Sequence, residues 1–132
     1  MKYAIILALT FWAAVSAFAQ QDPVKTSGSF ATQRLSSGEL ARLIDQGEPD
    51  FYLIDVRTAE EFKSGAIPSA VNIPYDVMEN RLPTQDRNAR VVVYCRSGNR
   101  SSIAKAKLEA LGFTNVNNFG AVQNWKGKLI VR

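Results

Sequence analysis

The strongest constraint on the fold is a strand, a tight loop and a helix that follow one another directly. Val91–Tyr94 contains four β-forming residues without polar alternation, which predicts a strand buried on both faces. The cysteine loop, Cys95–Arg100 (CRSGNR), follows it, and an Ala-, Lys- and Leu-rich helix is predicted from 101 to 111. Because a strand buried on both faces needs cover on both sides, we expect a parallel α/β sheet.

The rest of the chain alternates between the same two kinds of element. Ser36 with Glu39, and Thr58 with Glu61, have the spacing of capping boxes, which predicts two helices that end at glycines 47 and 65. Further strands are predicted at 51–56, 70–73 and 116–119, and further helices at 75–81 and 122–125.

The N-terminal segment predicts a secretory signal. Lys2 precedes an uncharged apolar run over residues 3–15, and Ala17 and Ala19 suit cleavage before Gln20. An uncleaved anchor is the alternative, but the strongly apolar part is short for a membrane span. We therefore expect a signal peptide at 1–19, a polar tether at 20–32 and one domain at 33–132. The mature protein is expected to be periplasmic or secreted, without stable membrane association.

Composition excludes several chemistries. The 132 residues include no His, so no Ser-His-Asp triad, Cys-His pair or imidazole metal ligand can form. They include one Cys, which excludes a Cys-rich zinc or iron-sulfur site. We expect no metal and no cofactor. The net charge is +4, but the basic residues are spread among acidic ones without a dense basic run. This distribution does not indicate nucleic-acid binding. A single cysteine in an exported chain is a candidate reactive thiol.

Cys95 is the predicted nucleophile because it lies at the carboxyl end of the buried strand, where parallel sheets bind ligands. Inward backbone amides and the positive end of the following helix dipole would stabilise a thiolate, and Arg96 and Arg100 would add charge. No general base is then needed. An inert buried thiol is the alternative, but a loop with two arginines and a glycine is not typical of a core.

Several motifs in order resemble the rhodanese family. They are Asp55-Val56-Arg57, Glu61-Phe62, the segment 65–74 (GAIPSAVNIP) and the cysteine loop, and the resemblance covers about 33–132. It implies a single α/β domain with a central parallel sheet flanked by helices, and a persulfide intermediate on Cys95. The exported form resembles single-domain thiosulfate sulfurtransferases. Ala66 and Ser69 stand where the family often has His and Gly, and Gly120-Ala121 where it often has Gly-Gly.

The resemblance implies sulfur transfer. Cys95 would take a sulfane sulfur from a small anion such as thiosulfate and pass it to cyanide or a thiol. Asp55 and Arg57 are expected to brace a neighbouring loop, Gly98 to adopt a positive φ, and the protein to be a monomer. The predicted substrate-binding residues are Arg96, Ser97, Gly98, Asn99 and Arg100.

Two other functions have to be weighed. A phosphatase or arsenate reductase loop of the Cys-x5-Arg type needs arginine at 101, where this chain has Ser101, and the shorter Cys-x4-Arg loop is too tight for phosphate. A non-catalytic sulfur-carrier or docking module shares the same loop as an enzyme. The sequence leaves the second alternative open.

Overall fold

The computed structural model describes residues 29–132. The predicted signal peptide and residues 20–28 of the predicted tether lie outside the described residues. Within 29–132, no helix is both long and apolar enough to cross a membrane.

A four-stranded parallel sheet with the strand order β2-β1-β3-β4 forms the centre of the domain, and helices cover it. This confirms the predicted α/β architecture. The strands are β1 (Phe51–Asp55), β2 (Val71–Asn72), β3 (Arg90–Cys95) and β4 (Asn115–Ala121), and the helices are α1 (Ser37–Gln46), α2 (Ala59–Ser64) and α3 (Asn99–Ala110). Two short 3-10 turns cover Tyr75–Val77 and Val122–Asn124.

Both predicted capping boxes are present. The Ser36 amide donates to Glu39 at 2.7 Å and the Glu39 amide donates back to the Ser36 hydroxyl at 3.2 Å, and Thr58 and Glu61 repeat the arrangement at the start of α2. Gly47 ends α1 in the left-handed conformation that favours glycine. Local sequence therefore determines where both helices begin.

Strand β3 is buried on both faces, as its composition predicted. The side chains of Val91, Val93 and Cys95 pack in the cluster with α3, whereas those of Val92 and Tyr94 pack in the cluster with α1. Because side chains alternate along a strand, this register turns Cys95 toward α3. The register of the buried strand thus places the thiol beneath the first turn of the following helix.

The start of α3 differs from the prediction. The helix begins at Asn99, two residues before the expected position, because Gly98 serves as its N-cap with φ of 101°. The positive φ expected of Gly98 is confirmed. Asn99 and Arg100 consequently lie in the first turn of α3, and their side chains are oriented by a helix and not by a loop.

The predicted helix at 75–81 is wrong. Only the 3-10 turn Tyr75–Val77 forms, followed by turn hydrogen bonds from the amides of Asn80 and Arg81 to the Val77 carbonyl. The N-cap of this turn is Pro74, which makes no side-chain capping bond, so the segment lacks the capping interaction that begins α1 and α2. Elsewhere, β4 is longer than the predicted 116–119.

Residues 29–33, most of which were assigned to the tether, contact the domain. The buried Asn117 side chain donates from Nδ2 to the carbonyl oxygens of Phe30 and Gln33, both at 2.7 Å. Lys105 donates to the Ala31 carbonyl at 3.1 Å. These bonds hold the segment against the edge of the sheet that β4 forms.

Candidate active site

The Cys95 thiol is enclosed by the turn that begins α3. The backbone amide of Gly98 lies 2.9 Å from Sγ, and the Ser101 hydroxyl lies 3.5 Å from it. Cys95 itself is fully buried. The sulfur therefore faces hydrogen-bond donors at the positive end of a helix dipole.

These surroundings favour the thiolate. Burial by itself would raise the pKa of Cys95, but hydrogen bonds from Ser101 and from the backbone amides of Gly98 and Ser97 outweigh it, so that the pKa lies below its ordinary value. No carboxylate lies in the first turn of α3 to compete for these donors. Within the described residues, these hydrogen bonds are what lowers the pKa of the thiol.

Ser101 is a site residue that the sequence analysis considered only for its spacing from Cys95. It is fully buried, and its hydroxyl also donates to the Gly98 carbonyl at 3.0 Å. The early start of α3 turns this side chain toward the sulfur. A hydroxyl in the first turn after a cysteine loop is the sequence signal that could have identified it.

Arg100 is bound to Glu61 of α2 through both ends of its guanidinium, at 2.7 and 2.9 Å. This pair holds the pKa of Glu61 at about 2. A cation in the first turn of a helix is unfavourable because of the dipole, and the carboxylate offsets that cost. No local signal predicts the pair, since its members are 39 positions apart.

Asp55 and Arg57 form a buried ion pair at the carboxyl end of β1. Arg57 binds both oxygens of Asp55, with a shortest distance of 2.6 Å, and also donates to the Gly65 carbonyl at 2.7 Å. Gly65 ends α2, the helix that carries Glu61. The pair thus braces α2, and α2 in turn holds Arg100 through Glu61.

The remaining residues of the cysteine loop face solvent. Arg96, Ser97 and Asn99 are exposed, and Arg96 makes no ion pair or side-chain hydrogen bond within residues 29–132. Of the predicted loop residues, the structure thus places the Gly98 amide at the sulfur, and it leaves Arg100 paired and Arg96 unpaired within residues 29–132. In the part of the chain described, no three acidic or cysteine side chains cluster to hold a metal ion.

The fold and these motifs match a known family. The family model described as the rhodanese-like domain matches residues 36–128. The chain belongs to the rhodanese-like domain family. A rhodanese-like domain protein from Staphylococcus aureus superposes with a TM-score of 0.64 and 31% identity, over 76% of this chain and 98% of that one.

Among the relatives of this rhodanese-like domain, several are named for an activity, including the following two. A sulfurtransferase of Allochromatium vinosum is 38% identical over 77 residues, which are 58% of this chain and 72% of that protein. A thiosulfate sulfurtransferase, PspE, of Escherichia coli is 37% identical over 73 residues, covering 54% and 70%. The chain is thus similar to proteins named for sulfur transfer.

The structure explains how this rhodanese-like domain accommodates two of its departures from the family pattern, Ala66 and Ser69. Ser69 is exposed and adopts a φ of 67°, a conformation that glycine, common in the family there, takes without steric cost. Ala66 is fully buried and exchanges backbone hydrogen bonds with Ile130, at 2.8 and 2.9 Å. Both substitutions lie in the segment after α2, outside the cysteine loop.

Proposed function

We propose that this protein is a sulfurtransferase that moves a sulfane sulfur from thiosulfate, or a similar anion, to a thiophilic acceptor through a persulfide on Cys95. The observation that carries the proposal is the Gly98 amide 2.9 Å from a sulfur whose pKa is lowered. The sulfurtransferase names of the two relatives support it.

In the first half-reaction, the Cys95 thiolate attacks the outer sulfur of thiosulfate. A new S–S bond forms to Sγ, the S–S bond of thiosulfate breaks, and sulfite leaves with the electron pair. The persulfide anion takes over the hydrogen bonds that stabilised the thiolate. In the second half-reaction, cyanide or a thiolate attacks the terminal sulfur, and the Cys95 thiolate leaves, which is a ping-pong scheme.

We assign different roles to the two arginines of the loop. Arg96 is exposed and unpaired within residues 29–132, so it is available to the sulfonate oxygens of a donor. Arg100 is held by Glu61 and fixes the first turn of α3 relative to α2. Because Cys95 is fully buried, donor access requires the groups that cover the sulfur to move.

The test is intact-protein mass spectrometry of the full chain after thiosulfate treatment. We expect a gain of one sulfur atom that cyanide removes, and no gain in Cys95→Ser, a near-isosteric variant whose fold is checked by circular dichroism. Arg96→Ala should raise the KM for thiosulfate roughly tenfold, because a hydrogen bond to a charged group contributes about 1.5 to 3 kcal/mol.

Each possible result bears on the proposal. Failure of the wild-type protein to gain sulfur would contradict it. A stable persulfide without turnover in the presence of cyanide or thiols would favour the sulfur-carrier alternative. An unchanged KM for thiosulfate in Arg96→Ala would show that backbone amides alone hold the donor.

A further inference from the structure

The segment that follows the second 3-10 turn ends in an extended stretch, Leu129–Val131, which runs along the end of α2. Ile130 forms an antiparallel bridge with Ala66, in which each residue donates its backbone amide to the carbonyl of the other, at 2.8 and 2.9 Å. The Arg132 amide then donates to the Lys63 carbonyl at 3.0 Å. These hydrogen bonds hold one edge of the stretch against the domain.

The other edge of the stretch is open. Because the backbone groups of successive residues point to opposite sides of a strand, those of Leu129 and Val131 point away from the bridge at Ile130. Neither the amide nor the carbonyl of these two residues forms a hydrogen bond within residues 29–132. Val131 is 75% exposed and Ile130 is 41% exposed. Another extended chain can add a strand to an exposed apolar edge of this kind.

The edges of the central sheet, in contrast, are protected. The edge strand β2 contains only two residues, and very short edge strands resist pairing with other chains. At the opposite edge, hydrogen bonds from Asn117 hold segment 29–33 against β4. The stretch Leu129–Val131 has neither kind of protection, and it combines free backbone donors and acceptors with exposed apolar side chains.

The charge around the stretch selects the kind of partner. Lys128 and Arg132 flank it, and no acidic residue follows Glu109 in the chain. Neither cation forms an ion pair in the described part of the chain, although Arg132 lies over the Phe62 ring at 5.1 Å. Two copies of this chain paired about Ile130 would place Lys128 of each copy opposite Arg132 of the other. Like charges directly opposite each other are destabilising, whereas acidic residues at those positions are stabilising.

We propose that Leu129–Val131 binds an extended segment of a partner protein by antiparallel strand pairing, and that this segment carries apolar residues between two acidic ones. The free amides and carbonyls of the stretch form the hydrogen bonds of the added ladder, and antiparallel ladders are slightly more stable per residue than parallel ones. The acidic residues lie opposite Lys128 and Arg132, four positions apart in the partner segment. This inference does not depend on the proposed sulfurtransferase function, because the stretch contributes no residue to the cysteine loop.

The test measures binding of a fluorescein-labelled peptide, Ser-Glu-Val-Ile-Val-Glu-Ser, to the full chain by fluorescence anisotropy. We expect saturable binding to the wild-type protein. The same peptide with both valines N-methylated keeps its side chains but loses the amides that donate to Leu129 and Val131, so its affinity should fall roughly tenfold. N-methylation of the isoleucine is the matched control, because the amide of that residue points away from the stretch and its loss should change the affinity much less.

Exchange of charges tests the direction of the added strand. Lys128→Glu should weaken binding of the original peptide roughly fivefold, and a peptide with Lys in place of its second Glu should recover the lost affinity. Replacement of the first Glu should not recover it, because that residue lies opposite Arg132. Arg81→Glu is the control variant: Arg81 is also exposed, the change in net charge is the same, and binding of the original peptide should equal that of wild type.

Each contrary result would overturn a stated part of the proposal. Absence of saturable binding would refute the docking site and leave Lys128 and Arg132 as charges that keep an open edge from pairing. Equal losses on N-methylation of the valines and of the isoleucine would refute strand pairing. Recovery by the first Glu and not the second would refute the antiparallel direction. A wild-type dimer in analytical ultracentrifugation that the peptide dissociates would identify a second copy of this chain as the occupant.

Discussion

Ser101 allows the contribution of one hydroxyl to the Cys95 thiolate to be measured separately. In the thiol form, S–H points to the Ser101 oxygen at 3.5 Å, while the Ser101 hydroxyl donates to the Gly98 carbonyl at 3.0 Å. After deprotonation, that hydroxyl must turn to donate to Sγ. The Gly98 carbonyl keeps hydrogen bonds from the Ser102 amide and hydroxyl, at 3.1 and 2.9 Å. Rotation of the Ser101 hydroxyl therefore leaves no acceptor unsatisfied.

The expected effect of Ser101→Ala follows from these bonds. A hydrogen bond from the Ser101 hydroxyl to the charged thiolate contributes about 1.5 to 3 kcal/mol. The bond to the neutral Gly98 carbonyl, which is lost when the hydroxyl rotates, contributes about 0.5 to 1.5 kcal/mol. The midpoints of these ranges differ by about 1.3 kcal/mol, which corresponds to roughly one pKa unit. Ser101→Ala should therefore raise the pKa of Cys95 by about one unit.

The assay is the rate of alkylation by iodoacetamide as a function of pH, because only the thiolate reacts. Ser102→Ala is the matched control: its hydroxyl also donates to the Gly98 carbonyl, but it is exposed and the structure gives it no contact with Sγ. The reasoning would be refuted if both variants shifted the pKa of Cys95 equally, or if Ser101→Ala left it unchanged.

Three further predictions concern stability and export. Because Arg100 lowers the pKa of Glu61 from 4.5 to about 2, the ion pair stabilises the fold above pH 4.5 and loses its effect as the pH falls toward 2. Glu61→Gln should thus be less stable than wild type by about 1 kcal/mol at neutral pH but not at pH 2. The control Glu60→Gln, on the same helix, should be as stable as wild type at both pH values. Thermal unfolding measured across this pH range tests both expectations. Ser69→Gly should stabilise the domain by about 0.5 kcal/mol in urea unfolding, since relief of a positive φ exceeds the added chain entropy, and a loss of stability would contradict this. N-terminal sequencing of the exported protein should begin at Gln20, and an uncleaved chain in the membrane fraction would instead support the anchor.

Much of the fold follows from local sequence because its signals act over a few residues. Each capping box needs only two residues that lie three positions apart. The run Val91–Tyr94 indicates burial on both faces because it contains four consecutive β-forming residues without polar alternation. The 3-10 turn at Tyr75–Val77 shows where such signals fail, because apolar residues alone do not start a helix without a cap.

The sequence by itself identified the candidate nucleophile, because the one cysteine of the chain directly follows a run predicted to be buried on both faces. It also predicted that backbone amides of the loop lie near the sulfur, and the Gly98 amide lies 2.9 Å from Sγ. These inferences depend on neighbours in the chain, whose geometry short-range sterics and hydrogen bonding restrict.

Only the tertiary structure decided which arginine of the loop is paired. Glu61 and Arg100 are distant in sequence, and they meet because Asp55 and Arg57 fix the end of α2 while the early start of α3 directs Arg100 toward it. The groove lined by Arg34, Ser97 and Gly120 likewise forms only where the segment before α1, the cysteine loop and the end of β4 meet. Contacts of this kind depend on how the elements pack, and no spacing within a single segment encodes them.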